Sequence, residues 1–361
     1  MQWNQQPPRI QGLLASALTD TSFGSLALGG LRYVGALWRY RSFLRRPGFA
    51  GVARQFPELA QPYQQFAEER GFGQLSDLFR LAVNDMGYGD LREISAAYVL
   101  RYLSLLNLLN LGLYALGLGF GWPKRFVHGY GRLWQRVGWR TDLRLECVIH
   151  RIDRSERAVT LRWSESGRDD AGLRVRRECQ ESFAALIVSC QPQLTRGLLR
   201  WSETERALFQ QIRMNRYWVT ACEVSGMPEI TLDAIHGLEA GHAWEIMRPW
   251  AQADLAVFYS FGGHWNEPGS SAEQVLADIH RDMARLYPAA RVGKVVRQVC
   301  WEYFGHVDEA ALRGGFYDRF ESLQGDNSTF YTGGAAAFET VINVVEYSKA
   351  LVQRFFPPVT D

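Results

Sequence analysis

A chain of 361 residues, 47% apolar and 22% charged, has ordinary globular composition and the length for two or three domains. Its formal net charge of +2 gives no basic field for nucleic acid. Its five cysteines (Cys147, Cys179, Cys190, Cys222 and Cys300) form no CxxC pair, which argues against a zinc site or a disulfide framework.

The opening residues, Met1 to Asp20, show no basic segment followed by an apolar run, so no signal peptide is predicted. Reduced thiols, with Cys190 as a core thiol, predict a cytoplasmic protein. Residues 1–90 read as helical. Arg39, Arg41, Arg45 and Arg46 interleave with Trp38, Tyr40 and Phe43. A solvated face with snorkelling arginines is preferred there to a membrane-surface helix. Pro47-Gly48 ends that element, and Phe56 to Glu69 reads as another amphipathic helix. Tyr102 to Pro123 carries no charge and is long enough to span a bilayer. Its glycines (Gly112, Gly117, Gly119 and Gly121) favour instead a buried helix followed by a loop that lines a cavity.

Strands are predicted next at Arg144 to Arg151, Ala158 to Trp163 and Leu173 to Cys179, with Ser164 to Asp170 as a turn. Phe183 to Cys190 reads as a buried parallel strand stopped by Pro192. A helix follows at Ser202 to Ile212, strands at Trp218 to Val224 and Ala253 to Phe261, a helix at Ser271 to Tyr287, and a strand at Val292 to Trp301. Ser328 to Phe356 reads as strand, Gly-Gly turn and a long helix from about Ala335.

Few patterns carry chemistry. Gly87-Tyr88-Gly89, Gly119-Phe120-Gly121 and Gly129-Tyr130-Gly131 begin a phosphate-binding G-x-G-x-x-G, but none completes it. His236, Glu239, His242 and Glu245 recur every third residue, yet Gly237 and Gly241 break any helix, so a hairpin with exposed polar residues is favoured over a metal site. No Gly-x-Ser-x-Gly elbow is present. The junction at Gly333-Gly334 allows close approach of the backbone to a ligand, with amide donors at the following helix start.

Three segments together resemble the flavin-containing amine-oxidase superfamily. They are GYGRLWQRVGWRTDLRLECVIHRIDR (129–154), FAALIVSCQP (183–192) and FYTGGAAAFETVINVVEYSKALV (330–352). The resemblance runs from about Asn84 to Phe356 and is nearest to polyunsaturated fatty-acid isomerases and cyclopiazonate-type dehydrogenases. It implies a mixed α/β fold: an FAD/NAD(P)-binding-like domain, incomplete because the first βαβ unit is absent, and an α+β substrate domain. The expected division is 1–128 (helical part of the substrate domain), 129–194 (FAD-domain segment), 195–327 (substrate-domain sheet and helices) and 328–361 (closing FAD-domain segment).

The resemblance further implies FAD as cofactor. Ile149 would meet the adenine, Gly333 and Gly334 the diphosphate side, and Glu339, Thr340 and Val341 the pyrimidine end of the flavin. Trp301, Tyr303 and Phe304 would line the substrate cavity, together with Tyr102–Trp122. A hydrophobic small molecule, a fatty acid or secondary metabolite, would be oxidised or isomerised. Two departures stand out. Gly334 replaces the family's acidic residue, and no G-x-G-x-x-G unit is found, so the central sheet should expose edges and apolar faces. A separate dinucleotide-binding polypeptide is one way to supply the missing unit. A homologue without flavin, serving as a binding subunit, is the alternative, and peripheral membrane contact stays open.

Overall fold

The computed structural model describes residues 23–84, 86–105, 107–109, 126, 129–168, 174–227, 232–234, 240–248, 254–264 and 267–357. The first residues and most of Tyr102–Pro123 lie outside this set.

The described chain opens with helices: α1 (Phe23–Arg39), α2 (Tyr63–Glu69), α3 (Ser76–Asn84) and α4 (Ala96–Tyr102). One side of α1 buries Tyr33, Ala36 and Leu37. The Tyr33 ring meets Phe72 and Phe79 edge-on at 5.5 and 4.9 Å, and its hydroxyl donates to the Leu103 carbonyl at 2.9 Å. The helix predicted over 56–69 is split into a 3-10 turn, Pro57–Ala60, and α2. The cause is Pro62, which holds Gln61 extended at φ −67°, ψ 158°. The arginine-rich stretch beyond α1 keeps its guanidiniums outside while Tyr40 and Phe43 are buried.

After α5 (Tyr130–Gly138) come β1 (Cys147–Arg154), β2 (Val159–Arg168) and β3 (Arg174–Phe183), an antiparallel sheet in that order. The turn expected from Ser164 is strand as far as Arg168, because β2 pairs on both sides: Ser164 faces Val148 and Glu178, and Glu165 faces Arg177. Phe183 closes β3. The parallel strand is the shorter β4 (Leu186–Val188), which among the described residues pairs with β10 (Thr329–Tyr331) in a two-stranded sheet. β4 is covered on one side: Val188 is 6% exposed and Ile187 43%.

α6 (Glu203–Phe209) starts with a full capping box, Ser202 accepting from the Glu205 amide and the Glu205 carboxylate accepting from Ser202. β5 (Arg213–Ser225), β6 (Leu232–Ala234), β7 (Ala243–Met247), β8 (Leu255–His264) and β9 (Arg291–His306) form an antiparallel sheet in the order β6-β7-β8-β5-β9. α7 (Ala272–Leu286), capped by Ser271, covers one face. There Val275, Ile279 and Met283 pack on Cys222, Ile246, Ala256 and Phe258. α8 (Phe316–Ser322) leads to β10. The long closing helix does not start near Ala335. A single turn, α9 (Gly334–Ala337), is broken at Phe338, and α10 (Val341–Phe355) begins afresh under the Thr340 cap.

Most buried apolar residues belong to one core that joins α1–α4, the ends of β4 and β9, α8, β10 and α10. The β1–β3 sheet has a core of its own built on Ile152, Val159 and Leu199. Cys190 is exposed rather than a core thiol, since it lies past the end of β4. Among the described residues no helix is long and apolar enough to cross a membrane.

Candidate functional site

The site forms where the helical part, the end of β9 and the segment after β10 meet. Thr332 continues the parallel pairing, its amide donating to the Val188 carbonyl at 2.9 Å. At Gly333 the chain turns with φ +98°, and a Cβ there would stand 2.5 Å from the Ser189 carbonyl oxygen. Glycine is therefore required for backbone to pass backbone. Phe338 then takes φ 85°, ψ 145°, a conformation costly for a bulky residue. Its ring is buried, 4.9 Å from Tyr88 and 5.5 Å from Phe304 between centroids. Phe304 is itself at φ +59°, so two left-handed backbones support each other through ring packing.

The turn at Phe338 folds Glu339 back over Gly334. A Cβ on Gly334 would lie 2.3 Å from the Glu339 carboxyl carbon, so that carboxyl fills the space of the missing side chain. Gln191, just past β4, donates to Glu339 Oε1 at 2.8 Å, and the Gly305 amide donates to the same oxygen at 3.3 Å. Burial raises the Glu339 pKa against these two hydrogen bonds. Thr340 caps α10 by accepting from the Asn343 amide. The first amides of α10 have no intrahelical acceptor, and the side chains beside them, Val341 and Ile342, are 46% and 71% exposed.

From Glu339 a run of tyrosines crosses the sheet on the face opposite α7. Tyr88 stacks on Tyr303 at 6.0 Å, Tyr303 on Tyr217 at 5.3 Å, and Tyr217 on Tyr259 at 5.9 Å. Burial raises the hydroxyl of Tyr303 to about 12. Trp301 pairs with Tyr217 across β5 and β9 and is 54% exposed. Phe304 is fully buried and belongs to the core. Glu245 pairs with Tyr259 and so shares its face. It is 3% exposed, and burial pushes its carboxyl up to about 7.

Gly87-Tyr88-Gly89 serves ring packing: a Cβ on Gly87 would stand 2.9 Å from the Tyr217 ring. The hairpin around the His/Glu series is present, with Asp233 facing Ile246, but Glu245 is buried rather than exposed because it lies in a strand paired on both sides. His242 pairs with Asp282 at 2.9 Å; His236 and Glu239 lie outside the described residues. Among the described residues no group of His, Cys, Asp and Glu could hold a metal ion. Ile149 stands on β1 at a bulge, 37% exposed. The end of its strand is tied to β10: Arg154 pairs with Glu205 at 2.7 Å, and both bond Tyr331. Burial works against the Glu205 charge, yet hydrogen bonds from Arg154 and Tyr331 leave its pKa below the ordinary value.

Sequence reasoning found the Gly333 turn but missed Tyr88, Gln191, Tyr217, Tyr259 and Phe338. No local pattern marks these residues, because their partners are distant in sequence.

No family model matches the chain. A fatty acid isomerase from P. acnes, described as CLA-producing, superposes with a TM-score of 0.76 at 23% identity, over 92% of this chain and 74% of that one. Putrescine oxidase superposes with a TM-score of 0.53 at 14% identity, over 92% of this chain and 75% of that one. The chain shares their fold. In sequence, β-cyclopiazonate dehydrogenase of Aspergillus oryzae is 23% identical over 262 residues, 69% of this chain and 53% of that protein. An FAD-dependent oxidoreductase of Apiospora sacchari is 25% identical over 327 residues, 84% of this chain and 63% of that protein. The chain thus spans between about half and two thirds of the curated relatives it matches. The curated relatives bear out the resemblance to FAD-dependent oxidoreductases, and the solved structures bear out the fold.

Proposed function

We propose that this chain forms the substrate side and the closing flavin segment of an FAD-dependent oxidoreductase of amine-oxidase type. The observation that carries the reading is the junction of Gly333, Gly334 and Glu339. The sequence reads Gly334 as the loss of an acidic side chain, and the fold returns a carboxyl to that place from Glu339. The residues fit the cofactor. Gly333 and Gly334 would hold its diphosphate side, the open first turn of α10 beyond Thr340 and Val341 its pyrimidine end, and Ile149 its adenine. The chemistry that FAD supplies when bound is acceptance of a hydride or an allylic hydrogen from a substrate carbon.

The protein's own contribution is binding and exclusion of water. The hydrophobic substrate would lie on the tyrosine-lined sheet face, with Trp301 at its open edge and Tyr303 beside Glu339. The rings supply apolar area at small cost in side-chain entropy.

Val148, Ile149, Ile187 and Ile342 are apolar and exposed, at 44, 37, 43 and 71%. They favour a second part of the proposal: a dinucleotide-binding polypeptide segment covers this side and completes the cofactor site.

FAD titrated into the purified protein, followed by gel filtration, tests the reading. Retained flavin absorbance near about 450 nm is expected, lost in Gly333→Val. Protein that stays colourless overturns flavin binding by this chain on its own. Its exposed face then stands as a binding surface without cofactor, the alternative reading.

A further inference from the structure

α1 is apolar on two opposite sides. One side carries Tyr33, Ala36 and Leu37 into the core. On the other, Leu28, Leu31, Val34 and Trp38 recur at steps of three and four residues and are 48, 72, 40 and 68% exposed. A surface helix normally turns charge outward, so a second apolar stripe needs an apolar phase of its own. The stripe has a neighbour. The Tyr33 hydroxyl fastens the segment after α4 to α1, and Leu105 and Leu109 of that segment are 46 and 55% exposed.

The charges around the stripe identify what covers it. At its C-terminal end Arg39, Arg41, Arg45 and Arg46 are all exposed. The Arg41 guanidinium sits 4.1 Å over the Trp38 ring, and Arg39 reaches Glu58 at 3.9 Å. Among the described residues no carboxylate pairs with Arg41, Arg45 or Arg46. A tryptophan at the border between an apolar stripe and unpaired arginines matches the boundary between acyl chains and anionic headgroups. Among the described residues no helix is long and apolar enough to cross a membrane, so the geometry to test for α1 is one along the surface.

We propose that α1, with Leu105 and Leu109, docks the protein on the surface of an anionic membrane. The sequence alone favoured a solvated face here, since the arginines drew the argument. The fold keeps those arginines outside and adds what the sequence did not mark, the apolar side chains of Leu31 and Trp38 left exposed beside them.

Flotation of the intact protein with phosphatidylcholine vesicles, with and without phosphatidylglycerol, tests this without any cofactor. The protein is expected to float with the mixed vesicles. Leu31→Glu is expected to lose about tenfold or more of that binding. Arg45→Gln/Arg46→Gln is expected to lose about thirtyfold on the mixed vesicles, about fivefold per arginine. Both variants should melt as the parent does, since all three side chains are exposed. Failure of the parent to float with either vesicle overturns the proposal, as does flotation of Leu31→Glu at the parent's level. A parent that sediments as a dimer, becomes monomeric on Leu31→Glu and ignores vesicles assigns the stripe to a second copy and overturns it too.

Discussion

The two ends of the proposed cofactor path differ in how they are built. Around Gly333 and Phe338 the backbone is held by the main core, with Tyr88, Phe304 and Phe338 each at most 5% exposed. Around Ile149 the β1–β3 sheet rests on Ile152, Val159 and Leu199, while Leu145, Val148 and Ile149 face outward. A chain can thus fix the reactive end of a ligand site by its own packing and leave the far end to be covered by something else. The two left-handed phenylalanines at the first end persist because the surrounding rings over-determine them.

The contrast can be broken most sharply at the tie between the two ends. Arg154→Ala leaves the Glu205 carboxylate, 1% exposed at the side chain, buried without its partner. A loss of about 3–5 kcal/mol in urea unfolding is expected. A loss below about 1 kcal/mol, the range of exposed ion pairs, would mean that the two ends are independent.

The next effect belongs to the tyrosine-lined face proposed for substrate. Glu245 holds its proton up to about pH 7 when folded, whereas in the unfolded chain it has the ordinary carboxylate value. The unfolded state therefore releases the proton first. Stability is full at low pH and falls as pH rises through 7, by about 3 kcal/mol at pH 8. Glu245→Gln should flatten that slope in thermal melts between pH 5 and about 8. An unchanged slope would show that the carboxyl is solvated.

Gly333→Ala comes third, since its φ of +98° and the nearby Ser189 carbonyl both oppose a Cβ. More than about 1 kcal/mol should be lost, with flavin retention lost as well. Parent-like stability would mean that the β4–β10 junction is looser than described.

The smallest effect sharpens the comparison from the other side. Ile187→Ser, at a position 43% exposed, should change stability by less than about 0.5 kcal/mol. A loss as large as that of a core substitution would mean that the apolar edge is already covered.

Some of this was legible in the sequence because it is local. The helix starting at Ser202, the helix 271–287, the Gly-Gly turn and the hairpin ending in β7 each follow from residues a few positions apart, and the resemblance fixed the fold class. Pro62 and Phe338 were harder. The proline break at Pro62 is readable from the sequence. The break at Phe338 has no local signature, because what holds its backbone is ring contact with Tyr88, Tyr98, Tyr102 and Phe304.

The sequence by itself determined the elements, the order of the segments and the place of Gly333, since backbone preference and apolar period act over short range. Only the tertiary structure decided that Glu339 refills the space at Gly334, that four tyrosines from four segments stack in line, and that Leu31 and Trp38 face out while Tyr33 faces in. Each of these depends on contacts made by residues distant in sequence, such as the rings around Phe338, or on a choice between two equally apolar faces, and packing alone distinguishes them.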